Sequence, residues 1–357
     1  PIRSADLLMG ETYDARDEQA DWSMPGSMAD LSGEIFTPPG QWGPVVSRDE
    51  PVEVPIAPYP GEPVRMVEEL PAQKVTEPEP GTFVFDVGQN MVGVVRLKVD
   101  VPAGTEIVLR HGEMLNNDGT LYTENLRAAK ATDRYIAKGG GGEEWQPRFT
   151  FHGFRYVEVT GLPAKPKPDA ITGMVMMSGL RETARFECSN EKVNQLFSNI
   201  RWGFRGNYLE VPTDCPQRDE RLGWTGDAQM FVRSASYLAD IRPFYKKWLV
   251  DLHDAQHENG GYPDTAPFLG RLGHARAAWG DAGIVCPYVL WQAYGDTEFI
   301  RSWWAEMNKY MELICSENNL HNGPNAFSYG DWLHFNSETP VRLVGLAYRA
   351  YNARLMA

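Results

Sequence analysis

The spacing of apolar residues along the chain changes near residue 180. Before that point, short stretches rich in Val, Ile, Phe and Tyr are separated by Gly, Pro, Asn and Asp, a pattern typical of strands joined by turns. About 10 to 20 residues separate successive stretches, and this spacing favours an antiparallel sandwich. The predicted strands cover residues 83–87, 92–99, 105–111, 132–137 and 153–159.

Two segments at the N-terminal end do not follow the strand pattern. Residues 51–80 carry seven prolines before Pro80, and because proline cannot donate to a strand ladder we expect an extended crossing rather than a core strand. We expect residues 1–45 to be the end of a preceding domain. The chain starts at Pro1, without a signal peptide or an initiator Met, so we expect it to begin inside a larger protein.

After residue 188 the apolar period becomes helical. Ser189 or Asn190 can cap a first helix over residues 191–206, in which the apolar side chains share one stripe. That stripe consists of Val193, Leu196, Phe197, Ile200 and Phe204. Further helices are predicted over residues 227–239, 242–258, 281–294, 297–316 and 338–355. Several of the connections are long, which is typical of functional loops in a compact helical domain.

Composition and charge narrow the class of protein. Of the 357 residues, 42% are hydrophobic and 23% are charged, which excludes a disordered or collagen-like chain. The formal net charge of −14 repels phosphate backbones and anionic lipids, so neither nucleic acid nor a membrane is an expected partner. Four cysteines without metal-ligand spacing indicate reduced thiols and a cytoplasmic location.

The loop between the first two predicted helices concentrates the groups that could do chemistry. Residues 212–227, called the motif loop below, contain four carboxylates, two arginines and a tryptophan. A solvated charged loop is the alternative interpretation, but the prolines and glycines indicate a shaped loop with an apolar platform. One carboxyl that protonates a leaving oxygen and another that activates water are the basis of glycoside hydrolysis. The carboxylate neighbours of Cys215 would raise the pKa of its thiol, so we expect no nucleophilic role for it.

Further Trp and Asp residues follow on later predicted loops. Aromatic faces beside carboxylates suit a polyhydroxylated ring, which offers CH groups on its faces and hydroxyls on its edge. The residues are Asp264, Trp279, Asp281, Asp331 and Trp332. A competing pattern is the pair His253 and His257, spaced as in zinc sites. Because the glutamate of the usual zinc motif and a third ligand are missing, we interpret this pair as a structural or surface pair.

Five stretches resemble the bacterial α-L-rhamnosidases of glycoside hydrolase family 78. The most specific is DCPQRDERLGWTGD at 214–227. The others are FDVGQNMVGVVRLKV at 85–99, FTFHGFRYVEVTG at 149–161, AWGDA at 278–282 and GDWL at 330–333. The resemblance implies a concanavalin-like antiparallel β-sandwich followed by the first part of an (α/α)6 barrel. The implied domains are 1–45, the end of an N-terminal sandwich; 46–178, the concanavalin-like sandwich; and 179–357, the first half of the barrel.

The resemblance also implies a function and a set of site residues. Members of this family release terminal α-L-rhamnose with inversion, and the motif match places the general acid at Glu220. The residues that match substrate-binding positions are Asp214, Arg218, Trp224 and Asp227, with Trp279 and Trp332 in an aromatic wall. The partner is then a rhamnose-containing glycoside or oligosaccharide, and neither a cofactor nor a metal is expected.

The second half of such a barrel, with the family's general base, has no counterpart in this sequence. The six hairpins of the barrel need about twice as many helices as the six predicted here. We therefore expect a fragment, truncated at both ends, that does not hydrolyse rhamnosides by itself. Two other interpretations stay open: a non-catalytic carbohydrate-binding or scaffold protein, and another exo-glycosidase on the same barrel.

Overall fold

The computed structural model describes residues 1–18, 56–270, 272–316 and 328–357. The strands are β1 (Ile2–Asp6), β2 (Gly10–Asp14), β3 (Val64–Pro71), β4 (Lys74–Glu79), β5 (Thr82–Val99), β6 (Glu106–Gly112), β7 (Met114–Leu115), β8 (Leu121–Tyr122), β9 (Thr132–Ile136), β10 (Glu143–Trp145), β11 (His152–Thr160), β12 (Ile171–Ser178), β13 (Tyr208–Leu209) and β14 (Val211–Pro212). The helices are α1 (Glu191–Asn207), α2 (Thr225–Leu238), α3 (Arg242–Asp254), α4 (Ala282–Tyr294), α5 (Glu298–Arg301), α6 (Trp304–Cys315) and α7 (Val341–Met356).

Strand β5 is the centre of a curled ten-stranded sheet. Its first half pairs with β4 and with the end of β11, while its second half pairs with β10, β12 and the start of β11. The described pairs are antiparallel except β2 with β9. Apolar residues alternate along these strands, so one face of the curled sheet encloses a common core. Members of this core include Phe85, Leu97, Ile107, Leu109, Tyr135, Phe154 and Val157.

The predicted strands 83–87 and 92–99 are one continuous strand, β5. The glycine that suggests a turn in the sequence instead bends the strand. Gly88 has φ +82°, and its N–H donates to the Asp86 carboxylate at 2.7 Å. The register against β11 shifts opposite this point. The bend allows the two halves of β5 to pair with different sets of strands.

The prediction of an extended crossing over 51–80 is wrong for the residues described from 64 onward. They form β3 and β4, which pair with β12 and β5. Proline is tolerated because β3 is the outermost strand of the sheet order and Pro71 is its last residue. In β4 the register shifts between Thr76 and Glu79, around Pro78. Proline content excludes central strands better than it excludes edges.

The described residues at the N-terminus belong to the same sheet. β1 pairs with β2, and β2 pairs with β9. Residues 19–55 lie outside the described part, so the boundary predicted at residue 45 stays a prediction.

The helical part has its own apolar core, with Phe204, Tyr245, Trp248 and Leu290 fully buried. Five of the six predicted helices are present with ends that differ by no more than four residues. The predicted helix 297–316 is instead two helices, α5 and α6, separated at Ser302 and Trp303.

The two histidines with zinc-like spacing do not share a helical face. Helix α3 ends at Asp254, before His257. The His253 ring stacks on Trp303 with centroids 4.2 Å apart and its Nδ1 lies 2.9 Å from the Tyr262 hydroxyl. His257 stacks on His274 at 4.0 Å. The two imidazoles thus pack in separate surroundings, and the interpretation of this pair as a structural or surface pair stays a prediction.

Helix α1 joins the two parts of the molecule by packing against β5 and β12. Its predicted apolar stripe is covered unevenly: Phe204 is buried, while Leu196 is 57% exposed. In the described residues, no helix combines the length and the apolar character that a bilayer crossing requires.

Candidate active site

The motif loop is a closed turn between β14 and α2. The backbone N–H of Asp214 donates to the carbonyl of Leu222 at 2.9 Å, which closes the loop at its base. Cys215 and Arg221 have φ of +50° and +45°, an uncommon region for residues with a side chain. The closure holds Arg218 and Glu220 on one short, constrained segment.

The motif loop is fixed to the sheet as well as to the helices. The Arg221 guanidinium is buried; it donates to the carbonyl of Phe151 at 2.5 Å and to the carbonyl of Leu7. It also lies over the Phe151 ring, 4.8 Å from its centroid. Strand β11 comes close to the loop at Gly153, where a Cβ would be 2.8 Å from the Cβ of Gln217. The loop position therefore depends on both parts of the molecule.

A cleft of about 1240 Å³ opens beside the motif loop. All seven residues predicted as site residues line it, together with side chains from α1, α2 and α7. The seven are Asp214, Arg218, Glu220, Trp224, Asp227, Trp279 and Trp332. The structure thus brings the predicted set together in one place, although their roles stay predictions.

Three carboxylates in this cleft influence one another. Burial raises the pKa of Asp214, and the negative charge of Glu220 adds to the effect. Partial desolvation in the cleft, together with the charges of Asp214 and Glu220, raises the pKa of Asp227 to about 6, although this residue is still exposed to solvent. Close carboxylates cannot all ionise readily. The cleft therefore has a group that can hold a proton just below neutral pH.

Glu220 is held by two guanidinium groups. Arg218 donates to Oε2 of Glu220 from Nε at 3.0 Å and from Nη2 at 2.8 Å. Arg127, which follows β8 in the sheet part of the chain, donates to the same oxygen from Nη2 at 3.0 Å. The Arg127 contact spans 93 positions of sequence, and sequence reasoning missed it because no local pattern links the two segments.

The three cleft tryptophans meet at a tyrosine that sequence reasoning also missed. The ring centroid of Tyr329 lies 6.1 Å from Trp224, 4.6 Å from Trp279 and 5.6 Å from Trp332. Its hydroxyl donates to Asp264 at 3.0 Å. Tyr329 stands three residues before Trp332, in the stretch SYGDWL. The same run of sequence that indicated the tryptophan could have indicated it.

Asp264 and Asp281 have structural partners rather than positions in the cleft lining. Asp264 is buried and pairs with Arg276, whose guanidinium lies over the Tyr329 ring. Asp281 is fully buried; it accepts from Tyr310 at 3.0 Å. Asp331 does line the cleft.

The thiol of Cys215 donates to Asp214 at 3.0 Å. Burial and the neighbouring carboxylates raise the pKa of Cys215 to about 12, which disfavours the thiolate that a nucleophile requires. Ligand-type atoms of Asp214, Cys215 and Glu220 lie within 4.8 Å of one another. The guanidinium groups on Glu220 work against binding a cation there.

Gly226 in the first turn of α2 leaves room for the aromatic wall. A Cβ at this position would lie 2.8 Å from the indole of Trp279. We expect Gly226→Ala to displace this indole, so that tryptophan fluorescence shifts while the chain stays folded. Gly203→Ala is the matched control, because Gly203 is also helical and lines the same cleft but would place its Cβ in open space. Equal spectra for the two variants would contradict this account of Gly226.

Clustered carboxylates, guanidinium groups and aromatic side chains around one cleft are features that the active sites of glycoside hydrolases combine. Family models agree with this class. Residues 76–177 match the concanavalin-like domain of bacterial α-L-rhamnosidase, and residues 181–357 match its 6 hairpin glycosidase domain. The chain belongs to the bacterial α-L-rhamnosidase family. The predicted fold class, a concanavalin-like sandwich followed by a six-hairpin glycosidase domain, is confirmed.

Individual relatives are named alpha-L-rhamnosidase. The alpha-L-rhamnosidase of Streptomyces avermitilis is 50% identical over 357 residues, which cover 100% of this chain and 34% of the relative. One from Formosa agariphila is 37% identical and covers 100% of this chain and 38% of the relative. The chain thus spans about a third of the length of these curated relatives.

Solved structures of two relatives superpose on this chain. The crystal structure of the Streptomyces avermitilis alpha-L-rhamnosidase complexed with L-rhamnose superposes with a TM-score of 0.91 at 49% identity, covering 100% of this chain and 34% of that one. The alpha-L-rhamnosidase from Dictyoglumus thermophilum superposes with a TM-score of 0.87 at 36% identity, covering 100% and 39%.

Proposed function

We propose that this chain carries the acid half of the active site of an inverting glycoside hydrolase that releases terminal α-L-rhamnose. The observation that carries the proposal is the convergence of Asp214, Glu220 and Asp227 with an aromatic wall in one cleft. The similarity to an alpha-L-rhamnosidase whose structure holds L-rhamnose supports the choice of sugar.

The cleft offers both kinds of contact that a rhamnose ring needs. Asp214, Arg218 and Asp227 present charged groups that can hydrogen-bond ring hydroxyls. The aromatic side chains can pack on the apolar CH groups and the methyl group.

In the proposed reaction, Glu220 gives its proton to the glycosidic oxygen while the bond from that oxygen to the anomeric carbon breaks. A water molecule gives up a proton to a general base and attacks the anomeric carbon from the opposite face. Attack from this face inverts the configuration. We assign Glu220 as the acid because its place in the motif loop matches the acid position of the family and its side chain lines the cleft. We propose that the base comes from outside residues 1–357.

Binding of L-rhamnose to the purified chain tests the sugar assignment. Calorimetric titration should show saturable binding of L-rhamnose and much weaker binding of L-fucose, another 6-deoxy sugar with different hydroxyl orientations. Trp224→Ala should abolish the L-rhamnose signal. Equal binding of both sugars would instead support a carbohydrate-binding module without this specificity.

The pH dependence of that binding follows from the ionisation of Asp227. Since its pKa is raised to about 6, the side chain is a neutral acid below this pH and a carboxylate above it. A charged acceptor bonds hydroxyls more strongly, so affinity for L-rhamnose should rise as pH increases through about 6. Titrations between about pH 5 and 8 check this, and Asp227→Asn should flatten the step. A step of the same size in the variant would remove Asp227 from the explanation.

A further inference from the structure

A side chain from the sheet part of the molecule enters the cleft beside the proposed acid. Arg127 lies in the loop between β8 and β9, yet it lines the cleft with the motif-loop residues. Its Nε donates to Asp219 at 2.6 Å, and its Nη2 donates to Glu220 at 3.0 Å. The guanidinium therefore bridges two adjacent carboxylates of the motif loop.

The backbone around Arg127 also takes part in this contact. Arg127 itself has φ +55°, a region that side-chain-bearing residues rarely adopt and that is concentrated at functional sites. The next N–H, of Ala128, donates to the second oxygen of Asp219 at 3.2 Å. Asp219 thus fixes both the backbone and the guanidinium, and the Nη2 that remains points at Glu220.

The atoms that are contacted on Glu220 matter for proton transfer. Arg127 and Arg218 both donate to Oε2. An oxygen that accepts charge-assisted bonds from two cations is a poor place for a proton. A carboxyl group held in this way presents its other oxygen, Oε1, for the proton.

We propose that Arg127 is a positioning residue, which together with Arg218 fixes Oε2 of Glu220 so that Oε1 carries the proton and delivers it to the leaving oxygen. This inference rests on the proposed function and extends it, because it gives a residue of the sandwich domain a role in proton donation. The chemical step is unchanged: the proton passes from Oε1 to the glycosidic oxygen as the bond to the anomeric carbon breaks.

Leaving-group dependence separates this role from a merely structural one. A substrate with a good leaving group, 4-nitrophenyl α-L-rhamnoside, needs little protonation, whereas methyl α-L-rhamnoside depends on the acid. In a complete enzyme that contains residues 1–357, Arg127→Gln should lower kcat on the methyl glycoside by about 30-fold or more, and on the nitrophenyl glycoside by less than about fivefold. The inhibition constant for L-rhamnose should stay within about twofold of the parent value.

Two further variants test the bridging geometry. Arg127→Lys keeps the charge but has one ammonium for two carboxylates, so it should recover only part of the activity on the methyl glycoside. Asp219→Asn weakens the anchor of Arg127 and should reproduce its substrate pattern to a smaller degree. Arg134→Gln is the matched control, because this arginine is as exposed as Arg127, at 47% against 49% of the side chain, and pairs with Glu106 instead. Its kinetics should equal those of the parent.

The outcomes distinguish the inference from the proposal beneath it. If Glu220→Gln shows a steep leaving-group dependence but Arg127→Gln slows both substrates equally, Arg127 only supports the fold and the inference is wrong. If Glu220→Gln itself shows no leaving-group dependence, the acid assignment fails first. Thermal melting of each variant, compared with Arg134→Gln, identifies a variant that has lost its fold, and Asp219→Asn then decides the question.

Discussion

Replacement of Glu220 by glutamine should reduce kcat on methyl α-L-rhamnoside by roughly a hundredfold or more. Glutamine keeps the size and shape of the side chain and can still accept from Arg127 and Arg218, but it has no acidic proton to transfer. Because the loss is in proton donation and not in binding, it should fall on kcat while the affinity for L-rhamnose changes little. Steady-state kinetics in a complete enzyme that contains this chain measure the effect.

Glu298→Gln is the control for that experiment. Glu298 is in the same domain, is 57% exposed and pairs only with Arg301 across its own helix among the ion pairs of the described residues. Its replacement should leave kcat unchanged. A Glu220→Gln enzyme that turned over methyl α-L-rhamnoside at the parent rate would falsify the acid role.

Replacement of Asp281 by alanine should lower the free energy of unfolding by about 3 kcal/mol or more. This carboxylate is fully buried at the start of α4. It accepts from Tyr310 on α6, from Asn352 on α7 and from the backbone N–H of Ala278. Alanine leaves these buried donors without their acceptor. It also removes the hydrogen bonds that connect the start of α4 to α6 and α7. Guanidinium unfolding followed by tryptophan fluorescence measures the loss.

Asp254→Ala provides the comparison for the Asp281 variant. Asp254 is exposed at the end of α3 in the same domain, so its removal should change the unfolding free energy by no more than about 0.5 kcal/mol. If both variants unfolded at the same denaturant concentration, the hydrogen bonds of Asp281 would not be a major contribution to the helical domain.

The motif loop could be predicted because its chemistry is local in sequence. Asp214, Glu220, Trp224 and Asp227 lie within 14 positions, so their clustering is visible without a structure. Arg127 could not be found in the same way. Its contact with Glu220 depends on how the β8–β9 loop meets the helical domain, and no residue pattern near position 127 encodes that approach.

The errors in secondary structure have a similar origin. Pro71 and Pro78 suggested an extended crossing, but whether proline is tolerated depends on whether a strand is at an edge, which is a property of the whole sheet. The break between α5 and α6 falls where Trp303 stacks on His253 of α3. Helical periodicity continues through this point in the sequence, and packing between elements decides where the helix ends.

The attachment of the motif loop to the sheet has a consequence for how such enzymes can be recombined. Arg221 of the helical domain donates to the backbone of Leu7 and Phe151, and Asp219 accepts from the backbone of Ala128. A hybrid can join the glycosidase domain of one relative to the sandwich of another. The arginine and aspartate side chains then meet sandwich loops from a different protein, and these hydrogen bonds are lost or weakened. In a functional hybrid, the junction between the two parents should therefore lie outside the span from Leu7 to Asp227, so that the sandwich and the motif loop come from the same parent.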